Sequence, residues 1–78
     1  MTSVRLFAAL RDEAGAAHVE ATGATAGEVL DALSTRFGER FAKIAAAGSI
    51  VVNSERAVRD TPLAEGDEMA LLPPVSGG

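Results

Sequence analysis

Cysteine is absent from the 78 residues. That excludes disulfides, thiolate metal sites and a cysteine nucleophile together, and it fits a reducing compartment, so a cytoplasmic location is expected. Tryptophan and tyrosine are absent as well, which leaves Phe7, Phe37 and Phe41 as the aromatics. A core must therefore be built mainly from Val, Leu, Ile and Ala. His18 is the single histidine; a lone imidazole has no partners for a triad and no Cys/His set with which to hold zinc, so no metal is expected. Positive charge is thin: six arginines and Lys43 are scattered against eleven acids, for a net charge of −4. Phosphate-backbone binding needs a positive face, so nucleic acid is not an expected partner and a basic protein surface is the natural complement. No apolar run approaches the ~18 residues of a membrane helix. Met1-Thr2-Ser3-Val4-Arg5 lacks the basic start and apolar stretch of a signal peptide. Neither a membrane span nor export is expected.

The remaining chemical signals are weak. Gly23-Ala24-Thr25-Ala26-Gly27 places two glycines before a helix, but no Gly-Lys-Ser/Thr follows, so a phosphate loop is poorly supported. Asp60, Glu65, Asp67 and Glu68 lack calcium-loop spacing. A solvated turn is the simpler reading, with enough charge near the tail to steer a basic partner.

The chain is long enough for one small domain, and hydrophobic residues make up 47% of it. Ser3 to Ala8 alternates, with Val4, Leu6 and Ala8 on one face and Arg5 and Phe7 on the other, which predicts a strand. Ala9 to Gly15 suits a helical turn ended by glycine, and Ala17 to Ala21 a return strand. Thr25 and Glu28 have capping-box spacing, and behind them Val29, Leu30, Leu33 and Phe37 fall on one helical stripe. Gly38 stands where a left-handed residue would close that helix. Glu39 to Ala47 predicts a second helical piece ending before Gly48. Ser49 to Asn53 reads as a buried strand. A short strand at Ala57-Val58 follows, then turns at Thr61-Pro62-Leu63 and Glu65-Gly66-Asp67. In the last strand, Glu68 to Leu72, Met69 and Leu71 face one way and Ala70 and Leu72 the other. The order β-β-α-β-(β)-β gives an α+β domain with one main helix on one face of the sheet and the other face open.

The chain then changes character. Pro73-Pro74 fixes φ twice and stops the strand. Stiff, extended residues lower the entropy lost on threading into a partner. Val75 offers one apolar anchor, and Ser76-Gly77-Gly78 tapers to almost no side chain. Six such residues reach about 20 Å, a probe for a narrow channel. The division expected is 1–72 as folded domain and 73–78 as extended tail.

Leu71-Leu72-Pro73-Pro74-Val75-Ser76-Gly77-Gly78 resembles the ending of the MoaD family, the small sulfur-carrier subunit of molybdopterin synthase, within the ThiS/MoaD superfamily. Pro62-Leu63-Ala64-Glu65-Gly66-Asp67-Glu68 looks like that family's penultimate turn, and Val4 to Arg11 like its first strand and following turn. The likeness covers essentially the whole chain. Leu71 and Leu72 depart from it, standing where members often carry phenylalanine.

The resemblance implies a ubiquitin-like β-grasp fold with a mixed sheet of four to five strands and one main helix on one face. It also implies a cycle on Gly78. An α-carboxyl titrating near 3.3–3.7 is ionised at neutral pH and is a poor electrophile. In the family an E1-like, MoeB-like adenylyltransferase joins it to AMP from ATP, and a persulfide-bearing sulfurtransferase converts it to a thiocarboxylate. The tail then enters the large subunit, MoaE, in a heterotetramer of two small and two large subunits, and gives sulfur to a pterin precursor of the molybdenum cofactor. The chain would need no catalytic site or permanently bound cofactor of its own. Glycine suits the terminus because no Cβ obstructs the carbonyl. First and last strands lie side by side in a β-grasp, so Phe7 and Leu72 would form an apolar interface at the root of the tail. Arg11 matches a family position beside it and could pair with an acidic partner. Other readings of the same tail are a sulfur carrier for thiamine, cysteine or tRNA thiolation, a ubiquitin-like modifier attached through Gly78, or a binding module with an incidental tail.

Overall fold

A computed structural model describes residues 1–74. The expectations placed on Val75, Ser76, Gly77 and Gly78 lie outside the described residues. The elements are β1 (Thr2–Leu6), α1 (Ala8–Ala14), β2 (His18–Ala21), α2 (Ala26–Phe37), α3 (Glu39–Ala47), β3 (Ser49–Val52), β4 (Glu55–Ala57) and β5 (Glu68–Leu72). The strands form one sheet in the order β2-β1-β5-β3-β4. β1 and β5 run parallel at its centre, and the other pairs are antiparallel. This is the α+β, β-grasp arrangement with a five-stranded mixed sheet.

Alternation decides which sheet face is covered. Val4 and Leu6 of β1, Val19 of β2, Ile50 and Val52 of β3, and Met69 and Leu71 of β5 join Leu10, Val29, Leu30, Leu33, Phe41 and Ala45 of the helices in one core. Phe41 is wholly buried and meets Phe37 at 5.3 Å between ring centroids, tilted 47°, which ties α3 to α2. No buried side-chain N or O lacks a partner among the described residues.

Several local expectations are adjusted. β1 stops at Leu6, and Ala8 opens α1 with φ +49° instead of continuing on the Val4–Leu6 face. The chain must turn at once after Phe7 to bring Leu10 into the core, where it is fully buried; alternation cannot register that demand. The capping pair forms, with the Glu28 N–H donating to Thr25 Oγ1 at 3.2 Å. Glu28 Oε1 reaches back to the N–H of Ala24 at 3.0 Å, one residue before the N-cap itself. Gly38 has φ +104° and ψ −179°, not the left-handed helical pair. It joins α2 directly to α3 as an extended link that only glycine enters freely. The fourth strand is Glu55–Ala57 and excludes Val58, which is exposed. It is reached through a two-residue turn, Asn53-Ser54, with both φ positive (50° and 70°). That conformation is usually announced by Asn-Gly, and the serine hides it.

Root of the tail and the open sheet face

β5 is the central strand, so whatever leaves its C-terminal end leaves from the middle of the sheet edge. Pro73 and Pro74 do so there. Opposite them the backbone comes very close at Gly48, where α3 passes into β3. A Cβ on Gly48 would overlap the Leu72 carbonyl oxygen and lie 3.0 Å from the Leu72 carbonyl carbon and 3.1 Å from Pro73 Cα. Gly48 has φ −94°, a value any residue adopts, so glycine is needed here for space alone.

Because Leu6 is in register with Leu71, Phe7 and Leu72 come next on neighbouring strands at the root of the tail. Phe7 is 40% exposed and Leu72 37% exposed, too open for core residues and too apolar to be explained by solvation. Arg11 follows one helical turn after Phe7 on α1 and lines a hollow with Phe7, Arg5 and His18. The structure thus brings Phe7, Arg11, Leu72, Pro73 and Pro74 to one place.

Strand register extends this site across the open face. Two residues back from the apolar pair, His18, Arg5, Ala70, Val51 and Arg56 lie opposite one another in turn, a row spanning all five strands. Arg5 Nε donates to His18 Nε2 at 3.0 Å, which uses the lone pair of that nitrogen. Two residues further back, Glu20, Ser3 and Glu68 form a second row.

The acids Glu65, Asp67 and Glu68 sit at the start of β5, whereas the tail leaves from its end, about 13 Å of strand away. They do not flank Pro73 and Pro74, contrary to what their nearness in sequence suggests. Glu65 meets the Met1 ammonium at 3.3 Å. The Asp67 carboxylate accepts from the N–H of Ala64 at 2.8 Å and from Asn53 Nδ2 at 2.9 Å. Those two donors, the backbone one foremost, hold its carboxyl below the usual aspartate range. Among the described residues no group of three His, Asp or Glu side chains is placed to hold a metal, and no helix is long and apolar enough to cross a membrane.

The glycine-flanked entry to α2 is also committed internally. The N–H groups of Ala26 and Gly27 donate to the carbonyls of Thr61 and Arg59, each at 2.9 Å. Arg59 Nη2 then grips Asp31 Oδ2 of α2 at 2.8 Å, a hydrogen bond that lowers the Asp31 carboxyl. The helix end has no donors left for a phosphate.

Sequence reasoning reached Phe7, Arg11 and Leu72. It missed Arg5, His18 and Arg56 as members of one row, and Gly48 as a spacer beside the tail. Alternation signalled that Arg5 faces away from the core; nothing local signalled its neighbours across the sheet.

A model of the ThiS family matches residues 4–78. The crystal structure of SAMP1 from Haloferax volcanii is 34% identical, with a TM-score of 0.77 over 99% of this chain and 98% of that one. A chain of the Amycolatopsis orientalis BexX/CysO complex is 27% identical, with a TM-score of 0.82 and full coverage of both chains (100% each). A putative molybdopterin converting factor, subunit 1, from Pyrococcus furiosus is 27% identical, with a TM-score of 0.78 over 95% of this chain and 97% of that one.

Proposed function

The chain belongs to the ThiS family of ubiquitin-like sulfur-carrier domains, and from that premise we propose that it carries sulfur on Gly78 for assembly of the molybdopterin dithiolene. The observation that carries this reading is the exit of Pro73-Pro74 from the central strand beside the half-exposed pair Phe7 and Leu72, leading into Val75-Ser76-Gly77-Gly78. A rigid pair of prolines at the root aims the arm, and an apolar patch beside it gives a partner something to grip.

The chemistry belongs to Gly78, with the catalysts on other chains. An oxygen of its carboxylate attacks the α-phosphorus of ATP, and pyrophosphate leaves. The outer sulfur of a persulfide on a sulfurtransferase attacks the acyl carbon, and AMP leaves. A thiol then reduces the resulting acyl disulfide, freeing the thiocarboxylate. Insertion into a MoaE-like large subunit brings the thiocarboxylate to the pterin precursor. Phe7, Leu72 and Arg11 contact the partner in this reading.

A second reading is favoured by the 34% identity to an archaeal modifier protein: attachment of Gly78 to lysines of other proteins. Incubation with the adenylyltransferase, ATP and a sulfur source separates the two. A mass gain of one sulfur for one oxygen on Gly78, followed by its loss to a pterin acceptor in the presence of the large subunit, is the expected result. Gain without transfer, together with isopeptide-linked conjugates in lysate, would overturn the molybdopterin assignment in favour of the modifier.

A further inference from the structure

The two strands beside β5 meet its end from opposite sides. Leu6 of β1 is in register with Leu71, and Ser49 of β3 with Leu72, so Leu72 and Pro73 pass between Phe7 and Gly48. Phe7 presents a half-exposed side chain; Gly48 presents backbone. The Gly48 N–H donates to the Ala45 carbonyl at 3.1 Å, and Ala45 and Phe41 are buried, so this wall is fixed to α3. The Leu72 carbonyl and Pro73 Cα lie against the bare Gly48 Cα with no room for a methyl group. Beyond that contact few torsions remain free. Leu72 and Pro73 each precede a proline, which confines both to extended backbone. The two rings fix φ at 73 and 74. The orientation of the Leu72–Pro73 peptide is therefore carried through to Pro74.

We propose that Gly48 is a positioning residue for the chemistry at Gly78: its bare Cα seats the Leu72 carbonyl, and that seat sets the direction in which Pro73-Pro74 start the last four residues. The role of Gly78 rests on the carrier reading above; the seat rests on the backbone contact alone. Leu72 to Pro74 span about 10 Å, so a tilt of about 10° at Leu72 carries the far end about 2 Å sideways. Misplacing reacting groups by about 1 Å costs roughly a hundredfold in rate. Four further residues absorb part of such an error, so the loss expected is about ten- to a hundredfold. Recognition through Phe7 and Arg11, which stand on the β1 and α1 side, is left as it was. A methyl group at position 48 thus slows the reaction at Gly78 and spares the binding of the domain.

ATP–pyrophosphate exchange by the adenylyltransferase of the same host, with the full chain as the varied substrate, tests this. It reads adenylate formation at Gly78 and separates kcat from KM. Gly48→Ala is expected to lower kcat about ten- to a hundredfold while KM for the chain stays within about threefold of wild type. Gly23→Ala is the control for lost stability. A Cβ there would meet the Val29 nitrogen at 2.8 Å and Glu28 Cβ at 2.9 Å. That is overpacking of the same kind, just beyond the Ala21–Thr2 end of the sheet and so opposite the exit of Pro73. Its kcat is expected within about twofold of wild type. Circular dichroism sets an assay temperature at which every variant is folded, with an excluded osmolyte added where needed. Pro73→Ala with Pro74→Ala loosens the coupling, and in that background Gly48→Ala is expected to cost less than about threefold. Gly48→Ala at wild-type kcat, a loss confined to KM, an equal loss in Gly23→Ala, or an undiminished loss without the prolines overturns the proposal. A wild-type chain that supports no exchange sinks the carrier reading and the proposal with it. Equal exchange by wild type and Gly48→Ala sinks the proposal alone.

Discussion

Replacing Gly48 with alanine puts one methyl group into the closest backbone contact at the root of the tail. Its position would overlap the Leu72 carbonyl oxygen and crowd the Leu72 carbonyl carbon and Pro73 Cα. All three are backbone atoms, so no side chain can swing aside. Either the Ser49–Leu72 end of the β3–β5 pairing opens, or the α3–β3 junction shifts against Phe41 and Ala45, both buried. Overpacking of this kind costs about 1–3 kcal/mol. For a domain of this size each kcal/mol moves Tm by roughly 4–8 °C, so a fall of about 5–20 °C is expected. With no tryptophan or tyrosine to report tertiary structure, far-UV circular dichroism is the assay for the melt. Amide hydrogen exchange locates the damage: protection should fall at the β3 side of Leu72 and persist between β1 and β5. A Tm within about 2 °C of wild type, or a loss of protection spread evenly over the sheet, would refute the reasoning.

Two further outcomes follow from local geometry. Ala8 is exposed and sits at φ +49°, where an L-residue pays about 1–2 kcal/mol that glycine does not. Ala8→Gly is expected to stabilise by up to about 1 kcal/mol after the larger entropy of the unfolded glycine is counted, seen as a higher urea midpoint at unchanged slope; a lower midpoint would contradict it. The Asp67 carboxyl is held below its ordinary range by the Ala64 N–H and Asn53 Nδ2. A group with a lowered folded pKa contributes stability that is complete above its unfolded value, about 3.9, and is lost as pH falls through the folded one. Asp67→Asn should therefore be less stable than wild type at neutral pH, with the gap closing below about pH 4. A gap that widens on acidification would show that the carboxylate is not the group being protonated.

Much of the architecture was legible because it is local. The Thr25–Glu28 spacing, the stripe of Val29, Leu30, Leu33 and Phe37, and the alternation in β1 and β5 each depend on residues within two turns or one strand of one another. The same holds for the tail: Pro73-Pro74 is stiff wherever it stands. The misjudged details were those in which a distant contact outweighs a local preference. Ala8 leaves the strand pattern because Leu10 must reach the core, and Asn53-Ser54 turns without a glycine because β3 is paired with β5 along one edge and with β4 along the other.

What residue order determined by itself was the alternation that separates a buried face from an open one, the helix that covers the first, and the proline pair that stops the last strand. Tertiary structure alone decided that β1 and β5 are neighbours, and with them Phe7 and Leu72. It also decided that three basic residues scattered from position 5 to position 56 form one row across the sheet, that the acids before β5 stand at the far end from the tail, and that Gly48 is a spacer for the Leu72 carbonyl. The reason is register. A strand carries its own two faces in its sequence, but which residue stands beside which is set by pairing between segments tens of residues apart, and a shift of one position would exchange the faces.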